Sequence, residues 1–148
     1  MLIRNNWIKV GALVSALGVA IGGFDCQQIS SLIGTTFDGT EQFTKAVQFQ
    51  LVHGLAIVLT GIVLVLRPGR LLQVTAWLFL AGTILFSGSI YLRLVTEMFW
   101  LEQVKLIGVV ALAAGWIMLV EGACPGWNRT ESDTEKESPS NPTAKVQV

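Results

Sequence analysis

Four long apolar runs without charged residues limit what this chain can fold into more than any other feature. The runs cover Val10–Phe24, Val47–Leu66, Leu71–Leu92 and Leu106–Val120. A helix that crosses the hydrocarbon layer of a membrane needs about 20 apolar residues, within a range of about 17 to 25. The second and third runs meet this length directly. The first reaches it with Trp7 and Ile8 if Lys9 extends to the headgroups, and the fourth with its uncharged flanks and local thinning of the bilayer.

Composition agrees with a membrane protein. Only 14% of the residues are charged and the mean hydropathy is +0.61, whereas soluble domains carry about 25% charged residues. The formal net charge is zero, so no basic face for nucleic acid is indicated. Cys26 and Cys124 are isolated, without a C-x-x-C motif or clustered histidines, which argues against a disulfide framework or a zinc site. We therefore expect the lipid bilayer as the main partner, no nucleic acid, no metal and no cofactor.

The fold class predicted from these runs is all-α: an antiparallel up-down bundle of four transmembrane helices in a domain covering residues 1–127. The predicted helices cover about 7–24, 41–66, 71–92 and 105–123. Arg67-Pro68-Gly69-Arg70 suits a type II turn, which would join the middle two helices as a hairpin. Asp38 and Glu41 have the spacing of a capping box before the second helix. Residues 128–148 are polar, and we expect this tail to be disordered.

The orientation follows from positive charge near the helix ends. Five cations fall on the side of the N-terminus and three on the other: Arg4, Lys9, Arg67, Arg70 and Arg129 against Lys45, Arg93 and Lys105. We expect a cell-membrane protein with both termini cytoplasmic, which places Cys26 outside and Cys124 inside. An alternative for the first run is a signal peptide with a weak cleavage site at Ala20-Ile21-Gly22.

Small residues recur at helical spacing in all four helices, and such residues mark the interfaces of membrane helices because they allow close backbone approach. The predicted packing residues are Gly11, Ser15, Gly18, Gly22, Gly54, Gly61, Gly82, Gly108 and Gly122. Steps of seven, such as Ala81 to Gly88 and Gly108 to Gly115, predict near-parallel axes and a left-handed bundle. On this pattern Gly88 is expected at a helix contact and Leu112 at the lipid surface.

Polar residues inside the apolar runs are the candidates for function. Thr83, Ser87 and Tyr91 lie four residues apart and form a polar stripe on the third helix. Their hydroxyls suit bonds within or between helices. The alternative, an intramembrane serine protease, would need a Gly-x-Ser-Gly turn and a facing histidine.

His53 is the single histidine and shares a helix face with Gln50. We expect a neutral imidazole bonded to Gln50 or to a hydroxyl of another helix; ligand binding and a proton-linked role remain alternatives. One histidine cannot provide bis-histidine haem ligation in a monomer.

Three motifs resemble a known family of small multi-pass membrane proteins. They are FQLVHGLAIV at Phe49–Val58, AGTILFSGSIYLRLV at Ala81–Val95 and GVVALAAGWIML at Gly108–Leu119. Together they are similar to the transmembrane-protein-256-like family, also called domain of unknown function 423. The resemblance covers about Gly11 to Val120. The residues that match the family motifs, and are therefore candidate functional residues, are Gln50, His53, Leu85, Phe86, Ser87, Gly88, Ser89, Tyr91, Gly115 and Trp116.

The chain departs from the family pattern in two places. Members usually carry Gly-Ala-Phe-Gly-Ala-His after the first helix, where this chain has Ile21-Gly22-Gly23-Phe24-Asp25-Cys26. The usual Thr-Pro-x-Gly-Gly before the fourth helix is replaced by Val104–Gly108.

Because no activity is established for the family, the resemblance implies fold and location but no mechanism. We expect a non-enzymatic membrane protein that associates with a second copy, with lipids or with another membrane protein. The alternatives are an oligomeric carrier or channel with Gln50 and His53 lining the path, and a membrane enzyme or accessory subunit that binds a lipophilic cofactor near His53.

Overall fold

The computed structural model describes residues 2–24, 28, 31–32, 40–96, 98 and 100–123. This part of the chain is an all-α bundle of four helices without strands, as the sequence predicts. The helices are α1 (Leu2–Gly22), α2 (Thr40–Leu66), α3 (Arg70–Val95) and α4 (Leu101–Ala123). Asp38, Cys26, Cys124 and the tail 128–148 lie outside the described residues.

Three helices are long and apolar enough to cross a membrane: α2, α3 and α4, over Glu41–Leu66, Arg70–Arg93 and Leu101–Ala123. The apolar part of α1 is shorter and covers Asn6–Gly22. Because α1 packs along the apolar part of α2, it lies at the same depth as that membrane segment.

The hairpin between α2 and α3 is as short as its sequence suggests. Arg67, Pro68 and Gly69 are the only residues between the two helices. The Arg67 amide donates to Val63 O, which closes the end of α2, and the Gln73 amide donates to Gly69 O at the start of α3. Gly69 precedes α3 in extended backbone, with φ −153° and ψ 147°, and without a side-chain cap. The expected type II turn is therefore wrong, because that turn needs a positive φ at Gly69.

Contact between α1 and α2 is made backbone to backbone at glycines. A Cβ added to Gly11 would lie 2.6 Å from Val58 N, and one added to Gly61 would lie 2.9 Å from Ile8 N. Farther along, Gly18 faces the Leu51 side chain and Gly22 faces Val47. Ser15 lies against Gly54. The paired numbers rise on one helix as they fall on the other, so the helices are antiparallel.

The same kind of contact joins α3 to α4. A Cβ on Gly108 would lie 2.7 Å from Phe86 N, and one on Gly82 would lie 2.7 Å from Leu112 Cδ2 and 3.1 Å from Gly108 O. A Cβ on Gly122 would lie 2.7 Å from Leu72 Cδ2. A side chain at Gly82 or Gly108 would meet backbone of the facing helix and would separate the two helices, whereas at Gly122 it would meet the Leu72 side chain.

A third interface, between α2 and α3, forms the centre of the bundle and contains large side chains. Its fully or nearly fully buried members include Ala46, Ile57, Leu64, Leu72, Ala76, Phe79, Phe86 and Ile90. Trp7 of α1 joins this core and meets Trp77 of α3 edge to face, with ring centroids 5.0 Å apart. The outer faces of all four helices carry exposed aliphatic side chains, which suits contact with lipid.

Two further sequence expectations, both about helix faces, are wrong. Leu112, expected at the lipid surface, is 3% exposed and packs over Gly82. Gly88, expected at a helix contact, faces none of the other three described helices: within the described residues an added Cβ would find only Ile84 Cγ2 of its own helix, at 4.0 Å. The face of α3 that meets α4 passes through Gly82 and Phe86. Two residues beyond Phe86, Gly88 is rotated by about 200° away from that face.

Candidate functional site

Gln50 connects three helices through its side-chain amide. Its Nε2 donates to Val14 O of α1 at 3.1 Å, and its Oε1 accepts from the Tyr91 hydroxyl of α3 at 2.9 Å. The NH₂ group meets a carbonyl and the amide oxygen meets a hydroxyl, so both ends are correctly matched. Gln50 is 4% exposed. A buried amide with both ends bonded stabilises one arrangement of α1, α2 and α3, because any other would leave it unpaired.

His53 lies one turn further along α2 and has partners for both ring nitrogens. Nδ1 is 2.8 Å from Phe49 O, and Nε2 is 3.2 Å from the indole Nε1 of Trp116 on α4. A carbonyl only accepts, so Nδ1 carries the proton; an indole only donates, so Nε2 is the acceptor. The two bonds together require a neutral imidazole in a single tautomer.

Aromatic rings enclose this imidazole. Phe49 stacks on it with ring centroids 5.6 Å apart, and the ring centroids of Phe79 and Trp116 lie 5.9 and 6.1 Å from that of the imidazole. Phe79 also meets Trp116 edge to face at 5.2 Å, and Phe49 contacts Phe86 at 4.4 Å. A charge on His53 would therefore sit among apolar rings, where it is costly. The surroundings favour the neutral ring that the hydrogen bonds require.

Gly115 and Trp116 are neighbours on α4 and make different contacts around His53. A Cβ on Gly115 would lie 2.8 Å from Cε1 of Phe79, so glycine leaves room for the Phe79 ring. The next residue, Trp116, supplies the indole that donates to His53. One residue admits the ring that covers the histidine, and the other bonds the histidine.

The polar residues in and next to the FSGSIY segment, Phe86–Tyr91, contribute unequally to the contacts between helices. Ser87 Oγ donates to Ala46 O of α2 at 2.9 Å, and Tyr91 reaches Gln50. Ser89 Oγ donates to Phe86 O of its own helix at 2.8 Å, and Thr83 bonds Phe79 O in the same way. Ser87 and Tyr91 therefore link α3 to α2, whereas Ser89 and Gly88 take no part in the links between helices.

Three features of this network differ from the sequence predictions or are absent from them. The expected bond of His53 to Gln50 or to a hydroxyl of another helix is wrong, since His53 accepts from the Trp116 indole and Gln50 accepts from Tyr91. Backbone carbonyls of Val14 and Ala46 are acceptors, although nothing marks them in the sequence. The ring cluster was not predicted, although the sequence carries a signal for it: Phe49 precedes His53 by one helical turn, and Phe79 and Phe86 are seven residues apart.

The chemistry open to these residues is limited. Within the described residues no group of three or more His, Cys, Asp or Glu side chains could hold a metal ion. The Ser87 hydroxyl donates to a carbonyl and His53 Nε2 accepts from an indole. Neither of these bonds is the serine–histidine pair that nucleophilic catalysis requires. The network binds helices to one another.

The sequence matches the family described as "Protein of unknown function (DUF423)" over residues 15–117. This chain belongs to the DUF423 family. The match includes every side chain of the network, from Gln50 in α2 to Trp116 in α4, and agrees with the resemblance carried by the three sequence motifs.

Curated relatives agree with a membrane location. A UPF0382 membrane protein of Staphylococcus aureus is 32% identical over 114 residues, which are 77% of this chain and 91% of the relative. The UPF0382 membrane protein YwdK of Bacillus subtilis is 30% identical, over 79% of this chain and 94% of its own. The UPF0382 inner membrane protein YgdD of Escherichia coli is 28% identical, over 82% and 92%. No solved structure matches this chain.

Proposed function

We propose that this DUF423 protein is a non-enzymatic membrane protein that acts by association with a second copy, with lipids or with a membrane partner. The observation that supports this most is the internal use of its polar side chains. The hydrogen-bonding groups of Gln50 and the two ring nitrogens of His53 all bond to other parts of the same chain. A substrate at these groups would have to displace bonds that hold the helices together.

The carrier alternative requires a path lined by Gln50 and His53. Groups that line a path face a water-filled cavity in at least one state, whereas these two residues are 4% and 6% exposed. A lipophilic cofactor bonded through His53 would likewise compete with Trp116 for Nε2. The arrangement therefore supports a protein that acts by association, which we call a scaffold, in preference to a carrier or a cofactor-binding protein.

A flux experiment separates scaffold from carrier. We expect vesicles that contain the purified protein to conduct protons and small ions no faster than empty vesicles, measured with a pH-sensitive dye and an ion-sensitive dye. We also expect Gln50→Leu to lower the melting temperature in detergent, because it removes two bonds between helices. Flux in the wild type that Gln50→Leu abolishes without lowering the melting temperature would instead establish the carrier.

Both termini in the cytoplasm are part of the same proposal. An impermeant thiol reagent applied to intact cells should then label Cys26 and spare Cys124. Labelling of Cys124 alone would reverse the orientation, and loss of the first helix from the mature protein would establish cleavage.

A further inference from the structure

The two ends of the bundle differ in how their cations are neutralised. At the end of the bundle where α3 ends and α4 begins, each described cation has a carboxylate partner. Lys45 Nζ lies 2.5 Å from Glu41, while Arg93 and Lys105 share Glu102, the latter at 2.5 Å. Three cations thus share two carboxylates, and each of the three lies within ion-pair distance of a negative charge.

At the opposite end, by the turn between α2 and α3, the cations have no carboxylate partner among the described residues. Arg67 and Arg70 flank Pro68-Gly69, and Lys9 lies on the neighbouring α1; all three are exposed. Among the described residues no carboxylate lies within ion-pair distance of any of them. Glu121, in the last turn of α4, is the one described carboxylate at this end. The described surface here therefore has three cations and one carboxylate.

Lys9 lies closer to the middle of the bundle, along the helix axis, than the two arginines. The Ile8 backbone packs against Gly61, six residues before Arg67, which corresponds to about 9 Å along α2. Side chains on a helix lean toward its N-terminus, and the N-terminus of α1 is at this end. The Lys9 ammonium is thus directed toward the headgroup layer, where long cationic side chains place their charge.

We propose that Lys9, Arg67 and Arg70 form a binding surface for the headgroup of an anionic phospholipid. This inference rests on the proposed function, of which it names one partner. A guanidinium group can donate to two oxygens of a phosphate at once, and a lysine ammonium adds a further positive charge. The surface lies at the end of helices of membrane-spanning length, so lipid headgroups are the phosphates present in greatest amount.

The test uses the full-length protein in a mild neutral detergent with short-chain phosphatidylglycerol or phosphatidylcholine as probe. Binding is measured from the rise in melting temperature as lipid is added. We expect saturable stabilisation by phosphatidylglycerol and little by phosphatidylcholine. Each cation near an anionic lipid surface contributes about fivefold in binding. Lys9→Gln should weaken binding about fivefold, and Arg67→Gln with Arg70→Gln about 25-fold.

The matched control removes two cations from the other end, with Lys45→Gln and Lys105→Gln together. Because those cations already have carboxylate partners, we expect phosphatidylglycerol binding to change less than twofold. Arg67 and Arg70 are exposed, so their double variant should keep the wild-type melting temperature without added lipid. Equal loss in the two double variants, or equal binding of both lipids, would overturn the proposal.

Two further arms identify the occupant. Inorganic phosphate should fail to compete at concentrations where phosphatidylglycerol saturates the protein; effective competition would overturn a lipid site. Neutralising Glu131, Asp133 and Glu135 of the tail should leave lipid binding within twofold. A tenfold or greater gain would make the acidic tail the native occupant and also overturn the proposal. The flux experiment is independent of all these outcomes, so this inference can fail while the scaffold role stands.

Discussion

The outer interfaces of the bundle and its central interface are built in opposite ways. Between α1 and α2, and between α3 and α4, the helices meet at glycines, which have no side chain and so let backbone atoms come close together. Between α2 and α3 it depends on atoms that are present: large apolar side chains and the polar groups of Ser87, Gln50 and Tyr91. The outer interfaces should therefore be most sensitive to added atoms and the central one to removed atoms.

The largest expected effect comes from adding one methyl group to an outer interface. Gly108→Ala would place Cβ 2.7 Å from the backbone nitrogen of Phe86, and backbone cannot move aside as a flexible side chain can. We expect the free energy of unfolding to fall by about 2 to 3 kcal/mol, measured by denaturant titration in mixed micelles.

The matched control is Gly88→Ala on α3, where the added atom meets only Ile84 Cγ2 at 4.0 Å. This variant should be neutral or gain up to about 1 kcal/mol, because alanine has the higher helix propensity. Equal losses at Gly108 and Gly88 would contradict the contact geometry that distinguishes the two faces.

Removing atoms from the central interface gives the next effect. Gln50→Leu deletes the bonds to Val14 O and Tyr91 and leaves the Tyr91 hydroxyl without its partner. We expect a loss of about 1 to 2 kcal/mol, since single side-chain bonds in membrane proteins average about 0.6 and reach about 1.7 kcal/mol. Tyr91→Phe removes one of the two bonds and should cost less than Gln50→Leu in the same titration. The reverse order would show that Gln50 does not connect the three helices.

The bond between α2 and α4 can be isolated by a double-mutant cycle on His53→Leu and Trp116→Phe. Trp116→Phe keeps a ring but removes the N–H donor, and His53→Leu removes the acceptor. The two losses should be less than additive, with a coupling of about 0.6 to 1 kcal/mol. Additive losses would mean that the indole–imidazole bond contributes nothing to stability.

The smallest effect compares two hydroxyls of the FSGSIY segment. Ser87→Ala removes a bond to Ala46 on another helix and should cost about 0.6 kcal/mol. Ser89→Ala removes a bond to the carbonyl of its own helix, which already serves the helix ladder, and should be nearly silent. Thermal unfolding of both variants in one detergent checks the difference. A larger loss of stability for Ser89→Ala than for Ser87→Ala would contradict the assignment of the link between helices to Ser87.

Part of the candidate site can be predicted from the amino-acid sequence. Its residues in the family motifs lie in one connected region of the bundle: Gln50, His53, Ser87, Tyr91, Gly115 and Trp116. Their bonding partners cannot be predicted in the same way, because a residue's helix face can be read from its spacing but the opposing atom cannot. The left-handed sense of the bundle stays a prediction.

The sequence by itself determined that four apolar helices form in the described part of the chain, about where they lie and that they belong in a membrane. Uncharged apolar runs separated by Arg67-Pro68-Gly69-Arg70 and by charged segments leave few other solutions, because unpaired backbone groups are too costly in lipid. Only the tertiary structure decided the rotation of each helix about its axis. That rotation turned Gly88 outward and Leu112 inward, and it brought Trp116 to His53 across 63 residues of sequence. The physical reason is that a rotation must satisfy all faces of a helix together, and no single stripe of residues contains that information.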